Sequence, residues 1–195
     1  MNRTTLDELK SHLREGKTYR RAELIQWSKS VDRHLQTLVK EGTLKKLSGG
    51  LYYCPKSSVF GEVPADDLEL VRAFLKDDRF LLTSPNAYNA LGLGTTQLYN
   101  TRVVYNHKRH GMFTLGGRVF DFRLKHHFPK DLSSEESLLV DLLNNLDELA
   151  EDRDAVLDRA RTKVPSMNAA RLTRATKDFA TLSTKKFVRS VLSAA

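Results

Sequence analysis

The sequence predicts an α+β protein: an N-terminal set of short helices closed by a hairpin, then a small α/β unit, then a C-terminal helical pack. Three patterns predict it. Helix-period apolar residues over 31–39 run into two short strand-like segments around Ser48-Gly49-Gly50. A β-branched run at Thr101–Tyr105 and an alternating run at Val119–Leu124 lie on either side of a Gly116-Gly117 turn signal. From residue 131 onward only helix-period patterns remain.

The first part is organised around SVDRHLQTLVKEGTLKKLSGGLYY, residues 30–53. Val31, Leu35, Leu38 and Val39 share one helix face, and Asp32, Arg33, Gln36, Thr37 and Lys40 fall on the others. Gly42 follows the last apolar turn, where a left-handed helix end is expected. Strands are expected at Leu44–Leu47 and Leu51–Tyr53, joined by the Gly-Gly turn. Upstream, Leu6, Leu9 and Leu13 predict a short amphipathic helix stopped at Gly16. Thr18 is expected to cap a second helix holding Ala22, Leu24, Ile25 and Trp27, and Ser28 or Ser30 to cap the third. Three short helices followed by a basic hairpin is the plan of a winged helix-turn-helix.

PKSSVFGEVP, residues 55–64, has proline at both ends and Ser-Ser and Gly between, and reads as a linker. Domains are therefore expected at 1–56 and 57–195, the second being α/β over 57–130 and helical over 131–195. Asp66-Asp67 lead into a helix with Leu68, Leu70, Val71, Phe74 and Leu75 as its apolar set. Phe80–Thr83 reads as a strand, and Pro85 opens a helix that Gly92 and Gly94 end. Met112–Leu115 and Val119–Leu124 form a second hairpin, in which Phe120, Phe122 and Leu124 share a buried face.

In the last part Ser133 and Glu136 have capping-box spacing, before a helix on Leu138, Leu139, Leu142, Leu143 and Leu146. Glu135, Asp141, Asp147 and Glu148 are expected on its outer face. Further helices are expected over about 152–162, from Pro165 and Ser166 with Leu172, Ala175, Phe179 and Leu182 inward, and over about 184–192. Arg171, Arg174, Lys177, Lys185, Lys186 and Arg189 are expected to face outward.

The 195 residues are 40 % hydrophobic and 29 % charged, an ordinary globular composition. No apolar run approaches membrane-spanning length, and MNRTTLDELK has no secretory character, so a cytoplasmic protein with no membrane partner is expected. A single cysteine, Cys54, excludes an internal disulfide and a multi-cysteine zinc site, and its place beside the hairpin suits a packing role. The net charge of +8 is segregated: residues 1–56 carry 12 Lys/Arg against 6 Asp/Glu, 131–160 carry 2 against 10, and 161–195 carry 8 against 1. Such segregation fits a polyanion partner, and it equally fits acidic and basic helices that face each other.

Enzymatic chemistry finds little support. Gly92-Leu93-Gly94 lacks the rest of a dinucleotide fingerprint. His107, His110, His126 and His127 lack metal-ligand spacing and sit among Lys108, Arg109, Arg118, Arg123 and Lys125, where they extend a basic surface. No nucleophile, base and acid set stands out, so no catalytic residue, metal or cofactor is expected. The expected site is a DNA interface. Arg33 and Gln36 have the geometry to read guanine and adenine. Ser30, Thr37 and Lys40 reach phosphates, Lys45 and Lys46 reach phosphate or minor groove from the hairpin, and Arg20 and Arg21 touch the backbone from the second helix.

EGTLKKLSGGLYYCP, LLTSPNAYNALGLGTTQ, GGRVFDFR and the helical tail, in that order, resemble AbiEi-type antitoxins of type IV, abortive-infection-related toxin–antitoxin systems. The resemblance implies a phage-defence repressor that is not an enzyme. Its winged helix would bind inverted repeats in its own promoter, with Arg33, Gln36, Lys40, Lys45 and Lys46 at the DNA. The C-terminal part would neutralise a nucleotidyltransferase-fold toxin. A stand-alone winged-helix regulator with a ligand- or protein-sensing C-terminal domain is the alternative.

Overall fold

The computed structural model describes residues 4–194, a mixed α and β chain with small sheets. Two compact units emerge. One runs to Asp78 and includes Phe113–Val119; the other holds Arg79–Met112 and the chain from Phe120 on. The expected division at residue 56 thus falls at the start of a strand, inside the first unit.

The first unit opens with α1 (Thr5–Ser11), whose start is closed by a reciprocal box between Thr4 and Asp7. Thr18, expected to be a helix cap, lies instead in β1 (Thr18–Arg20). The reason is pairing at a distance: β1 lies antiparallel to β3 (Leu51–Tyr53), with Thr18 opposite Tyr53 and Arg20 opposite Leu51. Helix α2 (Arg21–Leu24) is correspondingly short and continues as a 3₁₀ turn, Ile25–Trp27, on which Ile25 is exposed. Next is α3 (Val31–Lys40), as its periodicity predicts.

Strand β2 (Lys45–Ser48) completes a three-stranded sheet in the order β1-β3-β2. The register slips by one residue between Lys46 and Ser48, a bulge at Leu47. The Leu47 carbonyl, left out of the ladder, accepts from Gly116 N at 3.2 Å. Leu9, Leu24, Val31, Leu35, Leu38, Leu44 and Cys54 form the core beneath, so the cysteine is a packing residue whose thiol pKa is raised by burial.

The stretch expected to be a linker is a hairpin, β4 (Lys56–Ser58) and β5 (Gly61–Val63), anchored by a 2.7 Å bond from the Tyr53 hydroxyl to the Val63 carbonyl. Its tip carries Val59 and Phe60, 95 % and 98 % exposed. Helix α4 (Asp67–Leu75) follows, capped by the Asp66 side chain, with Leu70, Val71 and Leu75 buried and Leu68 exposed.

In the second unit β6 (Phe80–Thr83) pairs antiparallel with β7 (Arg102–Asn106), and β7 pairs parallel with β9 (Arg118–Leu124). Strand β8 (Gly111–Leu115) follows β9 in the sheet order. Between β8 and β9, in the Phe113–Val119 stretch of the first unit, Gly116 and Gly117 both take positive φ, 56° and 77°, as a two-residue hairpin turn requires. Phe120 and Phe122 are fully buried as expected, but Leu124, at the strand end, is exposed. Pro85–Leu91 is a 3₁₀ run ended by left-handed Gly92.

Helix α5 (Glu135–Asn145) is capped by Ser134, not by the expected Ser133, whose amide bonds Asp131. Glu136 therefore closes no capping box; it is buried and accepts from Asn168 N at 3.2 Å. Helix α6 (Arg153–Lys163) is capped by Asp152. Pro165 and Ser166 form a 3₁₀ turn, and α7 (Ala169–Phe179) starts later, at an Asn168 cap. Helix α8 spans Leu182–Ala194; Leu182, expected inside, is 80 % exposed at its first residue. The core of this unit gathers Tyr88, Leu91, Leu138, Leu139, Leu142, Val156, Leu172 and Val188. No helix among the described residues is long and apolar enough to cross a membrane.

Candidate nucleic-acid interface

Helix α3 is positioned by the face it buries. That face is Val31, His34, Leu35 and Leu38, at i, i+3, i+4 and i+7. Val39, expected on it, is exposed because His34 takes the place in the stripe. The opposite face presents Arg33, Gln36, Thr37 and Lys40, again at i, i+3, i+4 and i+7. The side chains of Arg33, Gln36 and Lys40 are exposed and have no hydrogen-bond or ion-pair partner among the described residues. Thr37 is half-buried and turns its hydroxyl back to the Arg33 carbonyl at 3.1 Å.

The start of α3 is held in an unexpected way. Ser30 occupies the cap position but makes no side-chain cap bond. Ser28, buried in the preceding turn, accepts from Ser30 N at 3.2 Å and shares a 2.8 Å hydrogen bond with His34 Nδ1. A hydroxyl that donates to Nδ1 keeps its lone pairs for the Ser30 amide, so one side chain ties turn and helix together. His34 at i+3 from Val31 was the signal for this pairing, easily passed over because histidine is polar.

The other expected residues are less free. Arg20 is engaged with Glu23, Nε to Oε1 at 2.7 Å. Arg21 reaches across to α3 and grips Asp32. That grip holds the Asp32 carboxyl below its ordinary pKa, and Asp32 raises that of Arg21. On β2, Lys45 pairs with Glu62 at 2.6 Å, whereas the Lys46 side chain is exposed without a partner among the described residues. Among the described residues, the Arg33, Gln36 and Lys40 side chains on α3 and Lys46 on the adjoining sheet are thus unpaired, and Arg20, Arg21 and Lys45 each carry a carboxylate neighbour.

A second polar cluster lies inside the second unit and was not foreseen. Asp141, expected on the outer face of α5, is 1 % exposed. Tyr88 OH donates to its Oδ2 at 2.7 Å and Tyr105 OH to its Oδ1 at 2.9 Å. Asn145 Nδ2 bonds the Tyr105 hydroxyl at 2.8 Å and the Asp141 carbonyl at 2.7 Å, and Asn145 Oδ1 accepts from Arg123 at 2.9 Å. Arg123 also pairs with Asp121 and Glu148. Burial raises the Asp141 pKa against the pull of its donors. It raises both tyrosines as well, aided by the Asp141 charge. Its hydrogen bonds tie α5 to β7 and to the 3₁₀ run. His107, His110, His126 and His127 are exposed, and no group of His, Cys, Asp or Glu among the described residues is arranged to hold a metal ion.

A family model matches residues 6–173, most of the chain: the protein belongs to DUF6088, a family of unknown function. No curated protein and no solved structure matched the chain.

Proposed function

We propose that the first unit is a winged helix-turn-helix that places α3 in the major groove of duplex DNA. One observation carries this reading: the unpartnered row Arg33, Gln36 and Lys40 stands opposite the stripe that buries the helix. Side chains of this kind left unsatisfied along one helix suit base edges and phosphates. The order of helices and strands, α1-β1-α2-α3-β2-β3, supports it. Arg33 and Gln36 read bases, Lys40 and Lys46 neutralise phosphates, and the hairpin β2–β3 serves as a short wing.

On this reading, and on the sequence resemblance, the chain is a cytoplasmic autorepressor without catalysis of its own. It binds inverted repeats in its promoter, and its second unit restrains a nucleotidyltransferase-fold toxin. A gel-shift series on the promoter fragment tests the DNA half: Arg33→Ala lowers affinity for the cognate site and leaves weak binding to unrelated duplex unchanged. Equal affinity of wild type for both duplexes overturns sequence-specific repression. Co-expression with the product of the adjacent reading frame tests the other half, with rescued growth expected and unrelieved toxicity as the contrary result.

A further inference from the structure

Helices α7 and α8 enclose a groove of about 420 Å³ whose chemistry the DNA reading does not use. Thr173, Thr176 and Lys177 line it from α7; Lys185, Val188, Arg189, Leu192 and Ser193 line it from α8. The spacing explains the convergence, since each set falls within one face of its helix. Three cations meet there with no carboxylate in the lining, and none of the three is ion-paired among the described residues. The one acidic residue of α7, Asp178, pairs with Arg174. Three hydroxyls add hydrogen-bonding capacity, and the Thr176 hydroxyl is buried with no partner among the described residues. Val188 and Leu192 supply an apolar strip along the floor.

We infer that this groove binds a small polyphosphate-bearing molecule, a nucleoside polyphosphate in size and chemistry. Clustered like charges repel one another, and a multiply charged anion relieves that repulsion more fully than a single carboxylate does. Phosphate oxygens accept from lysine, arginine and hydroxyl together. The apolar strip gives a base a surface to lie on, and the volume falls within the range of small-molecule sites. An acidic peptide would need charges spaced along a backbone, whereas these cations converge on one groove.

Calorimetric titration of the full chain with ATP, tripolyphosphate, adenosine and an oligoglutamate peptide tests the inference. ATP is expected to bind saturably, adenosine not at all, and the doubly substituted Lys185→Gln/Arg189→Gln chain roughly tenfold or more weaker, as loss of charge-assisted bonds implies. Tripolyphosphate as tight as ATP assigns the affinity to the phosphates; ATP tighter adds the base on the Val188–Leu192 strip; both support the site. Lys185 is only half-buried and Arg189 exposed, and an unchanged melting temperature of the variant without ligand separates lost binding from lost folding. Saturable binding by neither phosphate, undiminished ATP binding in the variant, or binding of oligoglutamate alone overturns the inference. Arg33→Ala leaves ATP binding unchanged, so this test stands apart from the DNA reading.

Discussion

The Arg21 guanidinium clasps the Asp32 carboxylate through two 2.6 Å hydrogen bonds, joining the start of α2 to the first turn of α3. The clasp orients α3 but also keeps a negative charge beside the row that, on the proposed DNA reading, meets phosphates. Asp32→Asn removes that charge and releases a cation. Affinity for any duplex is therefore expected to rise, and the slope of log K against log salt to steepen by about one. Gel shifts over a salt series check this; an unchanged slope places Arg21 away from DNA.

The same pair makes a pH prediction. A carboxyl whose folded pKa is depressed contributes stability that is present above its unfolded value and lost as pH falls through the folded one. Asp32 is such a group. Wild type is expected to lose a small increment of stability at acid pH that Asp32→Asn never had, read from urea melts across the acid range. The pair is exposed, so the increment is modest.

Lys45 and Lys46 are neighbours in sequence but differ in what they touch. Lys45 is held by Glu62, and Lys46 is unpaired among the described residues. Lys46→Ala is expected to weaken binding to all duplexes more than Lys45→Ala does, and Glu62→Gln to strengthen it by freeing Lys45. Equal losses from both lysines would mean that DNA already draws Lys45 off Glu62.

What could be read in advance, and what could not, follows the range of the interactions. Phe80–Thr83, the Gly116-Gly117 hairpin and α3 depend on periodicity and turn chemistry within a dozen residues, and they stand where expected. Thr18 reads locally as a helix cap, because a three-residue strand exists only through its partner at Leu51–Tyr53. Pro55–Pro64 has the composition of a linker, yet the Tyr53 hydroxyl and the Lys45–Glu62 pair pin it as a hairpin. Asp141 looks like a surface charge by local pattern; the hydroxyls that allow its burial come from 53 and 36 residues away. At the interface the exposed α3 row was legible as the complement of an apolar stripe. The Ser28–His34 tie was not, because it pairs two polar residues across a turn.

That tie has a measurable worth. Ser28→Ala leaves the Ser30 amide and the buried His34 Nδ1 without their partner, and about 1–3 kcal/mol of stability is expected to go. Because the lost bond sits where α3 begins, cognate DNA affinity is expected to fall as well, although Ser28 is buried and out of reach of DNA. Chemical denaturation and gel shift on one variant check both. A chain destabilised but binding normally would separate the turn from the interface.

The Asp141 cluster gives the opposite pH dependence to Asp32. Its folded pKa is raised, so its contribution is fully present below the unfolded carboxylate value and is lost as pH rises through the folded one. Asp141→Asn keeps the shape without the ionisation. The stability of wild type relative to this variant is therefore expected to decline as pH rises above the ordinary aspartate range, measured by urea denaturation at a series of pH values. Tyr88→Phe and Tyr105→Phe each remove a donor from the Asp141 carboxyl, and each is expected to cost about 1.5–3 kcal/mol at a pH where Asp141 is ionised. At a pH where Asp141 is protonated the cost shrinks, because a neutral carboxyl needs its donors less than a charged one does. A tyrosine variant whose penalty is the same at both pH values would mean that the hydroxyls fix α5 by packing and geometry alone, not by holding the charge.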